Sequence, residues 1–119
     1  MEIDFTETNG IRIAEMVSEE IEIKDAQDAV DIMMNCIYQG ADSIIIMKQN
    51  LSPDFFDLKN GLAGEILQKF SSYNARLAIV GDFENISSKS LRDFIYESNK
   101  IARINFVSSL DLAREVLSR

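Results

Sequence analysis

The stretch from Ser43 to Gly81 decides the fold: SIIIMK (43–48) and ARLAIVG (75–81) bracket NLSPDFFDLKNGLAGEILQKFSSY (50–73). Both flanking runs are apolar at successive positions, the pattern of strands covered on both faces in a parallel sheet. Between them Leu62, Ala63, Ile66, Leu67, Phe70 and Tyr73 recur every three or four residues and mark one apolar face of a helix. Ser52-Pro53-Asp54 reads as a cap followed by proline in a first helical turn, with a stop at Asn60-Gly61. Strand, helix and strand in this order form a crossover unit, so the chain is α/β.

Working outward, Ile3, Phe5, Ile11, Ile13 and Val17 alternate around Asn9-Gly10, a dipeptide suited to a tight hairpin. Asp25 can cap a helix whose inner stripe is Ala26, Ala29, Val30, Met33, Cys36 and Ile37, and Gly40 closes it. Beyond Gly81-Asp82, Ser87 or Ser90 opens a helix with Leu91, Phe94, Ile95 and Ser98 inward. Ile104, Phe106 and Val107 form a last strand, and Ser109 caps a last helix with Leu112, Ala113, Val116 and Leu117 buried. The order is ββαβαβαβα, a single layered domain over residues 1–119 with a central, mostly parallel sheet. Each later crossover is expected to be right-handed.

Composition narrows the function. The 119 residues suit one domain. A formal charge of −8, from 12 basic and 20 acidic residues, repels a phosphodiester backbone, so no nucleic-acid partner is expected. The start MEIDFTETNG has neither a basic nor an apolar segment, and no apolar run reaches membrane-spanning length, so the expectation is a cytoplasmic protein with no membrane partner. Cys36 is the only cysteine and histidine is absent, which removes an internal disulfide and the commonest general base and zinc ligand. No catalytic set, metal site or cofactor motif is read from the chain.

The order of elements, together with FFDLKNGLAGEIL, resembles the STAS domain, the fold of the anti-sigma-factor antagonists. Phe56, Asp57, Gly61, Leu62 and Gly64 are similar to that family's segment opening its second helix. The likeness continues through LAIVG, Leu91, Phe106 and SLDLAREVL, covering residues 40–118. In the antagonists the serine just before that glycine is phosphorylated and switches partner binding. Asn60 stands there in this chain, with Lys59 before it and one more residue between Asp57 and Gly61, so the resemblance carries over no phosphoserine switch. The whole sequence also resembles a bacterial family of unknown function.

Ligands of open α/β sheets gather beyond the carboxyl ends of the strands. Those loops carry Lys48, Asn50, Asp57, Lys59 and Asn60 after one strand, and Asp82, Ser87, Ser88, Lys89 and Arg92 after the next. Lys89 and Arg92 sit at a helix start, where cations oppose the dipole, and with nearby hydroxyls and free N–H groups they suit a phosphate or carboxylate. The plainer reading is that both are solvated and Arg92 pairs with Asp93 or a neighbouring acid. Asp54 and Asp57 read as capping acids before they read as an acid-base pair. Gly61-x-x-Gly64 serves close helix packing or a turn. Cys36 reads as a buried apolar group. Glu15, Glu19, Glu20 and Glu22 read as a solvated sheet edge, or as a docking face for a basic partner.

Two functional readings follow. One is a non-catalytic interaction or regulatory module whose contact surface is these loops plus the helix from Ser87 to Ile101, with Tyr96 as its exposed aromatic, since two residues correspond to about 200° of helical rotation from Phe94. The other is a binding protein or enzyme for a small anion, using Lys48, Lys59, Lys89 and Arg92 for charge and Asp57 or Asp82 as base. A homodimer through the hairpin edge is compatible with either.

Overall fold

The computed structural model describes all residues from Met1 to Arg119. Asn9 and Gly10 adopt φ angles of 53° and 79°, the left-handed pair whose twist matches a two-residue hairpin. Strand β1 (Glu2–Thr8) therefore folds back on β2 (Ile11–Val17), with Thr8 opposite Ile11. The chain continues through α1 (Ala26–Tyr38), β3 (Ser43–Met47), α2 (Leu62–Ser72), β4 (Arg76–Val80), α3 (Lys89–Ile101), β5 (Ile104–Val107) and α4 (Leu110–Leu117). Three short 3₁₀ turns, Lys48–Asn50, Pro53–Phe56 and Leu58–Asn60, fill the space between β3 and α2.

The five strands lie in sequence order, and only β1 runs antiparallel. Ile44 pairs with Leu77 and Met47 with Val80, so the two apolar runs lie side by side, point the same way and end together. Because sequential strands advance in one direction, crossover helices of one hand collect on one face. That face carries the larger core, in which Met33 and Cys36 of α1 and Ile66 and Phe70 of α2 meet Ile44, Ile46, Leu77 and Ile79. Phe94 and Ile95 of α3 pack at its margin. The opposite face is left to α4 alone, whose Ala113 and Leu117 cover Ile13, Ile45 and Ala78. Each fully buried aliphatic side chain contributes roughly 1.5–3 kcal/mol of burial, so both faces anchor the central strands.

Caps agree with local chemistry. Asp25 Oδ1 accepts from Asp28 N at 2.9 Å, and Ser109 Oγ from Leu112 N at 3.1 Å. The cap of α3 is Ser88 rather than Ser87 or Ser90: its Oγ accepts from Leu91 N at 3.2 Å. Two residues expected inside are outside. Tyr73 falls just past the last turn of α2 and is 49% exposed, and Leu112 is 41% exposed because the α4 stripe runs through Leu110, Ala113 and Leu117. Glu15 is a larger correction. It is only 8% exposed, since β2 lies inside the sheet and alternation turns Glu15 with Ile13 toward α4. Glu19 and Glu20, in contrast, are exposed.

Candidate functional site

At the carboxyl ends of β3 and β4 the chain leaves the sheet in two loops that face each other. Met47 and Val80 end the strands in register, and Gly81 lets Lys48 pass close by: a Cβ at Gly81 would lie 2.7 Å from Lys48 Cβ. Lys48 Nζ donates to Asp82 O at 3.2 Å and lies 5.4 Å and 5.2 Å from the ring centres of Phe56 and Phe83. One cation thus ties the two loops through a hydrogen bond and two aromatic faces. Beneath it Phe55, Phe56, Phe83, Phe94 and Phe106 touch in a chain of edge and tilted contacts with centroids 5.0–6.3 Å apart. Such packing fixes the rim.

Between the loops runs a groove of about 660 Å³. Met47, Phe56, Val80, Ile86 and Leu91 line it together with Ile21 and Pro53, and its polar groups are the Gln49 amide and the Lys48 ammonium. No carboxylate, hydroxyl or thiol lines it.

Of the residues expected from sequence to contact a ligand or partner, Lys48 alone lines this groove. Asn50 is fully buried, and its side chain is committed to backbone: Oδ1 accepts from Met47 N at 3.0 Å, and Nδ2 donates to Ser18 O and Glu20 O, both at 2.9 Å. Asn60 likewise spans its own loop, donating to Asp54 O at 2.8 Å and accepting from Leu62 N at 2.9 Å. Asp57 and Asp82 cap short turns through Lys59 N and Glu84 N. Lys59 and Ser87 are exposed without a part in the groove.

The two cations at the start of α3 are engaged close to home. Lys89 pairs with Asp93 at 2.8 Å on the surface. Arg92 does not pair with Asp93; its Nη1 donates to Ile86 O at 2.8 Å and Ser87 O at 3.0 Å. Tyr96 is 64% exposed, with Lys100 Nζ 5.4 Å from its ring. Gly64 has open space where a Cβ would sit, so close helix packing is not its task, while Gly61 takes φ +77° in the turn before α2. Cys36 is buried against the sheet, and burial pushes its thiol up to about 11, which keeps it protonated and unreactive.

Sequence reasoning missed the groove wall itself. Met47 and Val80 were legible as strand ends, yet nothing local marks the last residue of a buried strand as the floor of an open site.

A parallel sheet with an N-terminal hairpin, three crossover helices on one face and a short closing helix on the other is the STAS-like arrangement. The chain belongs to the family described as Domain of unknown function (DUF4180), which matches residues 8–117. Among solved structures it is similar to a Thermotoga maritima protein described as a candidate anti-sigma factor antagonist, at 14% identity and a TM-score of 0.50 over 98% of this chain and 95% of the other. That likeness shows the fold. No curated protein matches the chain significantly in sequence. No helix is long and apolar enough to cross a membrane.

Proposed function

We propose that this chain is a non-catalytic regulatory or interaction module that works in the cytoplasm, docking a segment of a partner protein in the groove between the β3 and β4 loops. The observation that supports the reading is the groove's chemistry: a mostly apolar wall, the single cation of Lys48, and no carboxylate, hydroxyl or thiol to work with it. The fitting occupant is a segment with an apolar anchor beside a carboxylate, the anchor entering against Met47 and Ile86 and the acid meeting Lys48. Asn60, at the place of the antagonists' serine, is spent on holding its loop, so docking here does not wait on phosphorylation of that position. The exposed face of α3 around Tyr96 extends the contact.

The test is cross-linking capture from the native cytoplasm followed by binding measurements on whichever protein is captured. Ile86→Asp and Lys48→Met are expected to weaken that binding, Tyr96→Ala to weaken it less, and Lys59→Ala to leave it alone. Retention of full affinity by Ile86→Asp, with unchanged thermal unfolding, would remove the groove from the interaction.

A further inference from the structure

The opposite end of the sheet holds a second concavity, of about 630 Å³, and its chemistry is the reverse of the first. Arg12 stands early in β2, Arg76 opens β4, Arg103 immediately precedes β5, and Arg119 follows α4, which returns the chain to this end. All four line one cavity, against two carboxylates, Glu7 and Asp42. This local excess of positive charge belongs to a chain whose formal charge is −8.

The arginines are held by carbonyl groups instead of acids. Arg76 Nε donates to Ala102 O at 3.1 Å and Nη2 to Val116 O at 3.0 Å, gripping the carboxyl ends of α3 and α4. Arg103 Nη1 donates to Ala75 O at 3.0 Å, and Arg12 Nε to Gln39 O at 3.1 Å. None of these three has a carboxylate within ion-pairing distance; only Arg119 does, with Glu115 at 3.6 Å. Burial lowers the Arg76 pKa, the charges of Arg103 and Arg119 lower it further, and the Asp42 carboxylate opposes them without reversing the shift. Carbonyl dipoles orient the guanidinium groups and Asp42 offsets only part of their charge, so like charges are gathered at a concave site where Arg12, bonded through Nε alone, keeps its two terminal nitrogens as donors.

We propose that Arg12, Arg76, Arg103 and Arg119 form a binding site for a small phosphate-bearing anion at the amino ends of the parallel strands. Guanidinium forks match phosphate oxygens in pairs, and several forks around one cavity suit an anion carrying more than one charge. A long polyanion fits poorly, because the cluster is a single concavity on a chain whose remaining surface repels it. The site is independent of the groove at the other rim, where Lys89 and Arg92 are already engaged.

The test uses the full chain and inorganic pyrophosphate, read by calorimetry and by thermal unfolding. Saturable binding is expected, with a rise in midpoint that sodium chloride at matched ionic strength does not reproduce. The double variant Arg12→Gln/Arg119→Gln, which keeps Arg76 on the carboxyl ends of α3 and α4 and of the bonds to carbonyl groups gives up only that of Arg12 to the α1 cap, is expected to weaken binding by about tenfold or more, the equivalent of one charge-assisted hydrogen bond. Arg119→Gln alone gives a smaller loss in a chain with the core untouched, while Lys89→Gln at the far rim changes nothing. An equal effect of chloride, undiminished affinity in the double variant, or tighter binding of a tetraglutamate peptide than of pyrophosphate would each overturn the proposal.

Discussion

Arg114 of α4 closes on Glu15 of β2 with two edges of its guanidinium: Nε donates to Oε2 at 2.7 Å and Nη2 to Oε1 at 2.8 Å. Thr6 on β1 adds a third donor to Oε2 at 3.0 Å. The pair fastens together positions 99 residues apart. It matters because α4 is a helix of 8 residues, too short to persist without tertiary contacts, and it is the sole cover of its face of the sheet. The hydrogen bond from Arg114 holds the Glu15 carboxyl below the usual carboxylate range; burial opposes it and is outweighed with the help of Thr6.

The sign of the pH dependence follows. Glu15 binds its proton more weakly folded than unfolded, so the pair's contribution is fully present above the unfolded value of about 4.3 and is lost as pH falls through the lower folded value. Glu15→Gln is expected to cost about 1–3 kcal/mol at neutral pH, less than a fully buried pair because Arg114 keeps 35% of its side-chain surface in water. Urea unfolding at neutral pH and at about pH 3 gives the check: the gap between wild type and variant should narrow in acid. A gap that stays constant would mean that charge at Glu15 does not matter.

That ion pair was invisible along the sequence, and the reason is geometric. Glu15 sits among Glu19, Glu20 and Glu22, so composition groups it with solvated acids. Alternation in β2 separates it from them, because Ile13 and Glu15 share the face that α4 covers. The arginine cluster was missed for a related reason. Residues 12, 76 and 103 look scattered, yet each lies within one residue of the start of a strand, and parallel pairing brings strand starts to one end. Period alone sufficed for β3, α2 and β4, where the apolar residues that define each element also bury it. Contacts that depend on which elements become neighbours leave no local period to read.

Asn50 offers a sharper test of how the groove rim is held. Its main-chain oxygen accepts from Glu22 N at 2.9 Å and Ile23 N at 3.0 Å, while its side chain takes Met47 N and both Ser18 and Glu20 carbonyls. The connection leading into α1 is therefore stitched to the turn after β3 through one buried amide. Asn50→Ala takes the side-chain partner from Met47 N and Glu20 O and leaves Ser18 O only Gln49 Nε2 at 3.4 Å, and is expected to cost about 2–4 kcal/mol. Asn50→Asp should be no better, since a carboxylate would face two carbonyl oxygens. Denaturant midpoints at constant slope would show it; a loss below that of an ordinary surface substitution would mean that water replaces the amide.

Two glycine-to-alanine substitutions are expected to move stability in opposite directions. At Gly81 the added methyl would lie 2.7 Å from Lys48 Cβ, 3.1 Å from Lys48 Cδ and 3.3 Å from Phe83 Cζ. The first of these atoms is bound directly to backbone, so relief requires the β3 loop to move and the tie from Lys48 to Asp82 to loosen. Overpacking of this kind costs about 1–3 kcal/mol, and the groove it distorts should bind its partner less tightly. At Gly64, inside α2, an added methyl meets nothing within 4 Å, and alanine restores about 0.5–1 kcal/mol of helical preference. Thermal unfolding of the two variants side by side should place Gly81→Ala below wild type and Gly64→Ala above it. A Gly81→Ala protein as stable as wild type would show that the two loops slide freely, and the rim would then be too yielding to present a formed docking groove.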